Sequence, residues 1–451
     1  MKITRTSGIT KRAVRRALGG VALVGLASTA LAGCDSGGGD GGQGQSDAGA
    51  TGSQSLDDGG TQVNDNAYLS LEEAPAAGEV VKQSRVLGLE VLASLAGETL
   101  VTSPASTVIA LSMLASGATG EAEEEFTAVL GAEGEERDKA VNALMGTLDP
   151  YRADVADIDI NELPEHPQVH LANQVVIDEG LEVKESYIDS VKEWFHSVIA
   201  TVKLNSDEGK ALLNDWVEEN TAGLIEKSAV ELDESTRMVL QNAVVFAAAW
   251  QIPFDAYATG PATFNLADGT TAEVDFMNAT MHVPYAEADG WQMLELPYGD
   301  DGNLVARYVM APEGTDLATA GAPILAVLET SLESQTVDVS IPKLDIASKA
   351  DLIKPLEDNG LSAVFTGNDN ALGYISDTVD LYVDQIWQQG RVILDEAGTV
   401  AAVVTEVAVA ESSAMLPGVS FVADRPHLII IEDKTVGWDL FQILVNDPRE
   451  Q

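Results

Sequence analysis

Cysteine is nearly absent: Cys34 is the only one in 451 residues, so no disulfide can form within the chain. Positive charge is scarce as well, with 25 Lys plus Arg against 72 Asp plus Glu and a formal net charge of −47. Lys2, Arg5, Lys11, Arg12, Arg15 and Arg16 take up part of that small basic complement at the very start. No basic stripe is left to follow a phosphate backbone, which excludes nucleic-acid binding. The acids are scattered except at Glu121–Glu125, and no DxDxDG loop occurs, so they read as a solvated surface suited to high salt rather than as a calcium site. Histidine is equally sparse. His166 and His170 are four apart, but Pro167 breaks the helix that would bring them to one face, so no metal site is expected. GxSxG, P-loop and HExxH motifs are missing, and nothing nominates a catalytic set or a cofactor. An enzyme is not expected.

What is present begins with an export layout. The basic start is followed by the uncharged, small-to-apolar stretch 17–33, which ends in "LAGC" (Leu31–Cys34). This resembles a bacterial lipobox, which implies cleavage before Cys34, lipid attachment to Cys34, and anchoring on the outer side of the cytoplasmic membrane or at the cell surface. A plain signal peptide or a short membrane anchor are the alternatives, although the stretch is short for spanning. Arg15–Arg16 hints at twin-arginine export, and two arginines leave the Sec route open. Residues 34–66 are Gly, Ser, Asp and Gln with few apolar side chains, a composition that cannot bury enough surface to fold and reads as a tether. The division is therefore a signal peptide over 1–33, a tether over 34–66 and one globular domain over 67–451.

Within that domain the first half reads as mainly helical. Ser103 can cap a helix, Pro104 is tolerated in its first turn, and Val108, Leu111, Leu114 and Ala115 share a face up to Gly117. Further helices are expected over Lys184–His196 and Gly209–Asn220. The second half reads as strands. Met238–Trp250 is a nearly unbroken apolar run, "TVDVSIPKLDI" alternates, and "HLIIIED" is another buried strand. Helices first and strands later argue for an α+β domain with a large sheet.

Asp395–Gly418, "DEAGTVAAVVTEVAVAESSAMLPG", has strand composition yet is bracketed like a loop. Here the chain resembles the serpins. "SPASTVIALSMLASGATG" (103–120), "LNDWVEENTAGLI" (213–225), "VLQNAVVFAAAWQIPF" (239–254), "IPKLDI" (341–346), "ADRPHLIII" (423–431) and "DEAGTVAAVVTE" (395–406) follow that family's landmarks in order. The resemblance implies a serpin fold, with about three β-sheets, a large central one among them, eight to nine helices and an exposed reactive-centre loop over about 396–420. It implies a monomer that traps a serine protease covalently: the loop is cut and then inserts into the large sheet as a new strand. A non-inhibitory serpin, acting as a binding module or a plain protease substrate, is the alternative.

The family's roles then fall on particular positions. The hinge is Glu396, Gly398, Thr399, Ala401, Ala402, Val403 and Val404. Counting forward from it places the scissile bond at Ser412–Ser413, whereas a shorter distal side would move it to Met415–Leu416. Small apolar residues before that bond suit elastase-like or subtilisin-like targets. The shutter positions are Ser103, Ser106, Asn242 and Gln388, the last standing where the family usually has histidine. The breach positions are Trp250, Lys343 and Glu396. Val403 and Val404 are bulkier than the family's usual residues, which implies slower insertion. On insertion Thr399, Ala401, Val403, Thr405, Val407 and Val409 would face the core and Glu406 would face solvent.

Overall fold

The computed structural model describes residues 68–449 apart from 96, 159–162, 165, 316, 318–320, 367–369 and 400–417. Elements are numbered in chain order. A six-stranded sheet runs β10 (Leu344–Asp351), β11 (Trp387–Leu394), β12 (Gly398–Thr399), β4 (Met238–Ala249), β2 (Gln168–Asp178), β3 (Val198–Val202). The longest ladder in it joins β2 to β4 antiparallel, from Gln168–Ala247 to Ile177–Met238. β4 alternates between buried and half-buried positions as far as Val244, and is buried on both faces only from Val245 to Ala248. The apolar run therefore builds one strand with two environments, the more enclosed at its C-terminal end.

The second sheet follows the order β1 (Leu100–Thr102), β15 (Trp438–Val445), β14 (His427–Asp433), β8 (Leu304–Met310), β7 (Trp291–Pro297), β6 (Thr271–Ala288), β9 (Glu333–Pro342), β13 (Val419–Val422), with β5 (Gly260–Asn265) also on β6. β6 is long enough to pair with β5 and β9 along its first part and with β7 at its end. Two of the three sheets implied by the resemblance are thus continuous through β6. Every residue of β8, β14 and β15 is buried, as their apolar composition requires.

Eight α-helices lie among the described residues. Helix α2 (Pro104–Ala115) starts as its sequence dictates: Ser103 caps it by accepting the Ser106 amide at 3.1 Å, and Pro104 occupies the first turn, where no intrahelical partner is lost. The expected apolar face is buried, but so are Ile109, Met113 and Ser112, because α2 packs against both β4 and β15 rather than on one surface. Two helices match their expected spans to within two residues, α5 (Glu185–Phe195) and α6 (Asp207–Asn220). The mixture is finer than helices followed by strands, since β2 and β3 fall between α4 (Gly134–Thr147) and α6, and α7 (Ala322–Thr330) interrupts the strands.

A buried ionic cluster fastens the helix α1 (Ala77–Ser94) to the second sheet. Arg85 pairs with Asp439 at 2.6 Å, Glu329 at 2.7 Å and Glu432 at 2.8 Å, while Arg307 pairs with Glu432, Glu329 and Glu295. Burial, together with the neighbouring Asp439 carboxylate, pushes Glu432 up to about 7 against the pull of both arginines.

Candidate functional site

At the head of the six-stranded sheet the chain leaves β11, turns through Asp395–Ala397 and re-enters as β12. Asp395 closes the turn: its amide donates to the Gly398 carbonyl at 3.0 Å and its Oδ1 accepts the Ala397 amide at 2.9 Å. β12 then wedges between the two strands, with Thr399 opposite both Leu394 of β11 and Ala248 of β4, and Gly398 opposite Ala249. This approach requires glycine. A Cβ on Gly398 would lie 2.1 Å from the Ala248 carbonyl oxygen, a backbone atom that cannot swing aside.

Thr399 is 1% exposed, and its hydroxyl is 2.5 Å from the hydroxyl of Tyr298. Tyr298 stacks on Trp250 with ring centroids 4.5 Å apart and meets Phe246 edge-on. Burial holds the Tyr298 phenol well above its ordinary range, so it stays neutral and available as a donor. Trp250 holds the turn at two points: its indole Nε1 donates to the Asp395 carbonyl at 2.9 Å and its amide to the Ala397 carbonyl at 2.8 Å. Lys343 Nζ reaches Glu396 Oε2 at 2.6 Å. Partial burial is the largest influence and would raise the Glu396 carboxyl, but the Lys343 bond and charge, its own backbone amide and the Thr259 hydroxyl together hold Glu396 below the usual carboxylate range. Of the three breach positions, Lys343 and Glu396 are therefore paired, and Trp250 holds the residues on either side of Glu396.

Below Thr399 the two strands part. Among the described residues, β4 before Ala248 and β11 before Leu394 share no ladder with one another. A cleft of about 500 Å³ opens between them. Met238–Val245 lines one side and Tyr382–Arg391 the other, α2 contributes Leu111 and Leu114, and Trp216 and Val217 of α6 reach it with the segment that follows.

Gln388 closes one wall of this cleft to α2. Its Oε1 accepts from the Thr102 hydroxyl at 2.5 Å and the Ser103 amide at 3.2 Å, and its Nε2 donates to the Ser103 carbonyl and the Thr107 hydroxyl at 3.0 Å each. All of the amide's oxygen and nitrogen capacity is engaged, and no proton is gained or lost near neutral pH. Asn242 does not join this latch. It donates instead to Asn173 Oδ1 on β2 at 2.7 Å, and its own buried Oδ1 has no partner among the described residues. Ser106 takes part through its amide. The sequence therefore groups four shutter residues that the structure divides into a Gln388–Ser103 latch and a separate Asn242–Asn173 pair. Thr102, Thr107, Asn173 and Tyr298 were not foreseen. Thr107 lies one helical turn beyond Ser103, which is the one local signal available.

Ala401, Ala402, Val403, Val404, Ser412, Ser413, Met415, Leu416 and Cys34 lie outside the described residues.

The family model Serpin (serine protease inhibitor) matches residues 83–448. The chain belongs to the serpins. Among relatives, Serpin-Z7 of Hordeum vulgare is 31% identical over 352 residues, covering 75% of this chain and 87% of that protein. Plasminogen activator inhibitor 1 of Sus scrofa is 28% identical over 297 residues, 62% of this chain and 72% of that protein. Among solved structures, the thermophilic serpin tengpin in its native state superposes with a TM-score of 0.72 at 21% identity, covering 81% of this chain and 94% of that one. Thyroxine-binding globulin complexed with thyroxine has the same fold, with a TM-score of 0.68 at 22% identity, covering 83% of this chain and 99% of that one. In this serpin Gly398–Thr399 lies between the same two strands whose earlier residues flank the cleft.

Proposed function

We propose that this serpin inhibits serine proteases as a suicide substrate. The observation that supports the reading is that Gly398–Thr399 is already paired between β11 and β4, the two strands that flank the cleft further along. The protease serine oxygen attacks the carbonyl carbon of Ser412. The peptide bond to Ser413 breaks, the nitrogen leaves as a protonated new amino terminus, and Ser412 remains joined to the protease as an ester. Thr399, buried and core-facing, sets the phase for Ala401, Val403, Thr405, Val407 and Val409, which would follow it inward. Roughly 14 residues at about 3.3 Å each would carry the tethered protease about 45 Å along the sheet. Such a displacement pulls on the ester and distorts the catalytic site before water can complete hydrolysis.

Mixing the protein with pancreatic elastase or subtilisin and running a denaturing gel tests this. A band at the summed mass that survives SDS is expected, and sequencing the released C-terminal peptide locates the bond at Ser412–Ser413 or at Met415–Leu416. Cleavage without that band, with the protease still active, would favour the non-inhibitory reading. We further place the protein outside the cytoplasmic membrane, held by a lipid on Cys34, on the strength of the "LAGC" layout. Recovery of Cys34→Ser in the same membrane fraction as the parent would count against it.

A further inference from the structure

Between β4 and β5 the chain makes a short exposed excursion, residues 251–259, whose backbone is fastened to the hinge. The Phe254 amide donates to the Glu396 carbonyl at 2.9 Å, and the Phe254 side chain is buried beneath. Asp255 caps the turn by accepting the Tyr257 amide at 2.9 Å, and Asn278 Nδ2 holds the Ala258 carbonyl at 2.9 Å. On this anchored backbone Ile252 is 45% exposed and Tyr257 is 95% exposed. A tyrosine on an anchored backbone has only its two side-chain torsions to lose on contact, which is the property that makes tyrosine an interface anchor. The surroundings are acidic: Asp255, Asp275 and Asp300 are all exposed, and the adjacent cation, Lys343, is committed to Glu396.

Position identifies what would cover it. The turn is bonded to the residues that precede the reactive loop. Its strand, β5, is separated from β13, which follows the loop, by β6 and β9. Three ladders at about 4.8 Å each set the strands about 14 Å apart, and Val419 stands level with Met281 while Gly260 pairs with Phe276, so with this stagger along β6 the two roots lie about 22 Å apart. A protease of about 250 residues has a radius of gyration of about 18 Å, so one engaged on this loop overhangs the turn.

We infer that the Ile252–Tyr257 turn is a docking pad for the body of the target protease, matched to a partner that carries apolar and basic groups around its active site. This rests on the inhibitory reading. The test measures the second-order rate of inactivation of the cationic and anionic isoforms of pancreatic elastase by the parent protein and by Tyr257→Ala. The cationic isoform should be trapped faster at low salt, with the gap closing as salt rises. Tyr257→Ala should slow trapping of the cationic isoform about tenfold with unchanged stoichiometry and an unchanged melting temperature. Equal rates for parent and Tyr257→Ala, with the SDS-stable complex still forming, would overturn the pad and leave the inhibitor reading intact. If the loop is cut and no complex forms, the inhibitor reading fails. The kcat/KM for loop cleavage then makes the same comparison, with a tenfold loss supporting the pad and no loss removing it.

Discussion

The head of the six-stranded sheet and its midsection are built in opposite ways. At the head, Asp395–Thr399 is held by a closed set of directional contacts: Trp250 on two carbonyls, Lys343 on Glu396, Tyr298 on Thr399, and a glycine where no other residue fits. In the midsection the same two strands diverge around a cleft, each laddered only to its outer neighbour among the described residues, and a neutral amide, Gln388, ties β11 to the start of α2. On the inhibitory reading, one sheet is fixed where a strand would enter and open where that strand would run. Polar contacts set the starting register, while the cleft offers edges that gain ladder bonds only when a strand arrives.

The largest expected effect comes from breaking the head. Thr399→Arg would have to bury a charge beside Tyr298, at a cost of several kcal/mol. The hinge should then stay out of the sheet. A denaturing gel with a protease that the parent traps should show cleaved serpin, active protease and no SDS-stable band. Continued trapping by Thr399→Arg would mean that Thr399 is not the first residue to enter.

The next test loosens the midsection. Gln388→Leu strands the Thr102 hydroxyl and the Ser103 amide, while the Ser103 carbonyl and the Thr107 hydroxyl keep each other as partners at 3.0 Å. A loss of about 2–4 kcal/mol is expected from those orphaned groups, read as a fall of several degrees in the melting temperature of the intact protein. An unchanged melting temperature would show that the latch contributes nothing to keeping the strands in place.

The legibility of the two regions also differs. The head reads well from sequence because its determinants are either consecutive, as in Glu396–Thr399, or single distinctive residues such as Trp250 and Lys343. Its remaining partner, Tyr298, sits 101 residues from Thr399 in an ordinary strand end, with no local pattern to mark it. The midsection reads less well. Gln388 and Ser103 are evident as positions, but Asn242 points its amide at Asn173 of the neighbouring strand, a choice made by the β2–β4 register rather than by any motif. The ionic cluster is the extreme case. Arg85, Glu295, Arg307, Glu329, Glu432 and Asp439 come from separate elements, and in a sequence so rich in acid no spacing singles them out.

That cluster supplies the smallest effect and a control remote from both regions. The folded pKa of Glu432, about 7, lies above its unfolded value, so folding takes up a proton. The stability this contributes is fully present below the unfolded value of about 4.3 and is lost as pH rises through about 7. Glu432→Gln keeps an acceptor for Arg307 but cannot ionise. It should melt a few degrees above the parent at pH 8 and match it near pH 4, with trapping at pH 8 unaffected. A constant difference between the two proteins across that range would mean that Glu432 does not titrate there.

The most direct test of strand entry into the cleft is thermal unfolding before and after a single cut between residues 400 and 417. If the freed segment fills the cleft, about ten new ladder bonds at roughly 1 kcal/mol each should raise the melting temperature of so large a domain by about 12 °C. An unchanged melting temperature after the cut would mean that the strand does not enter, and the central claim would fail.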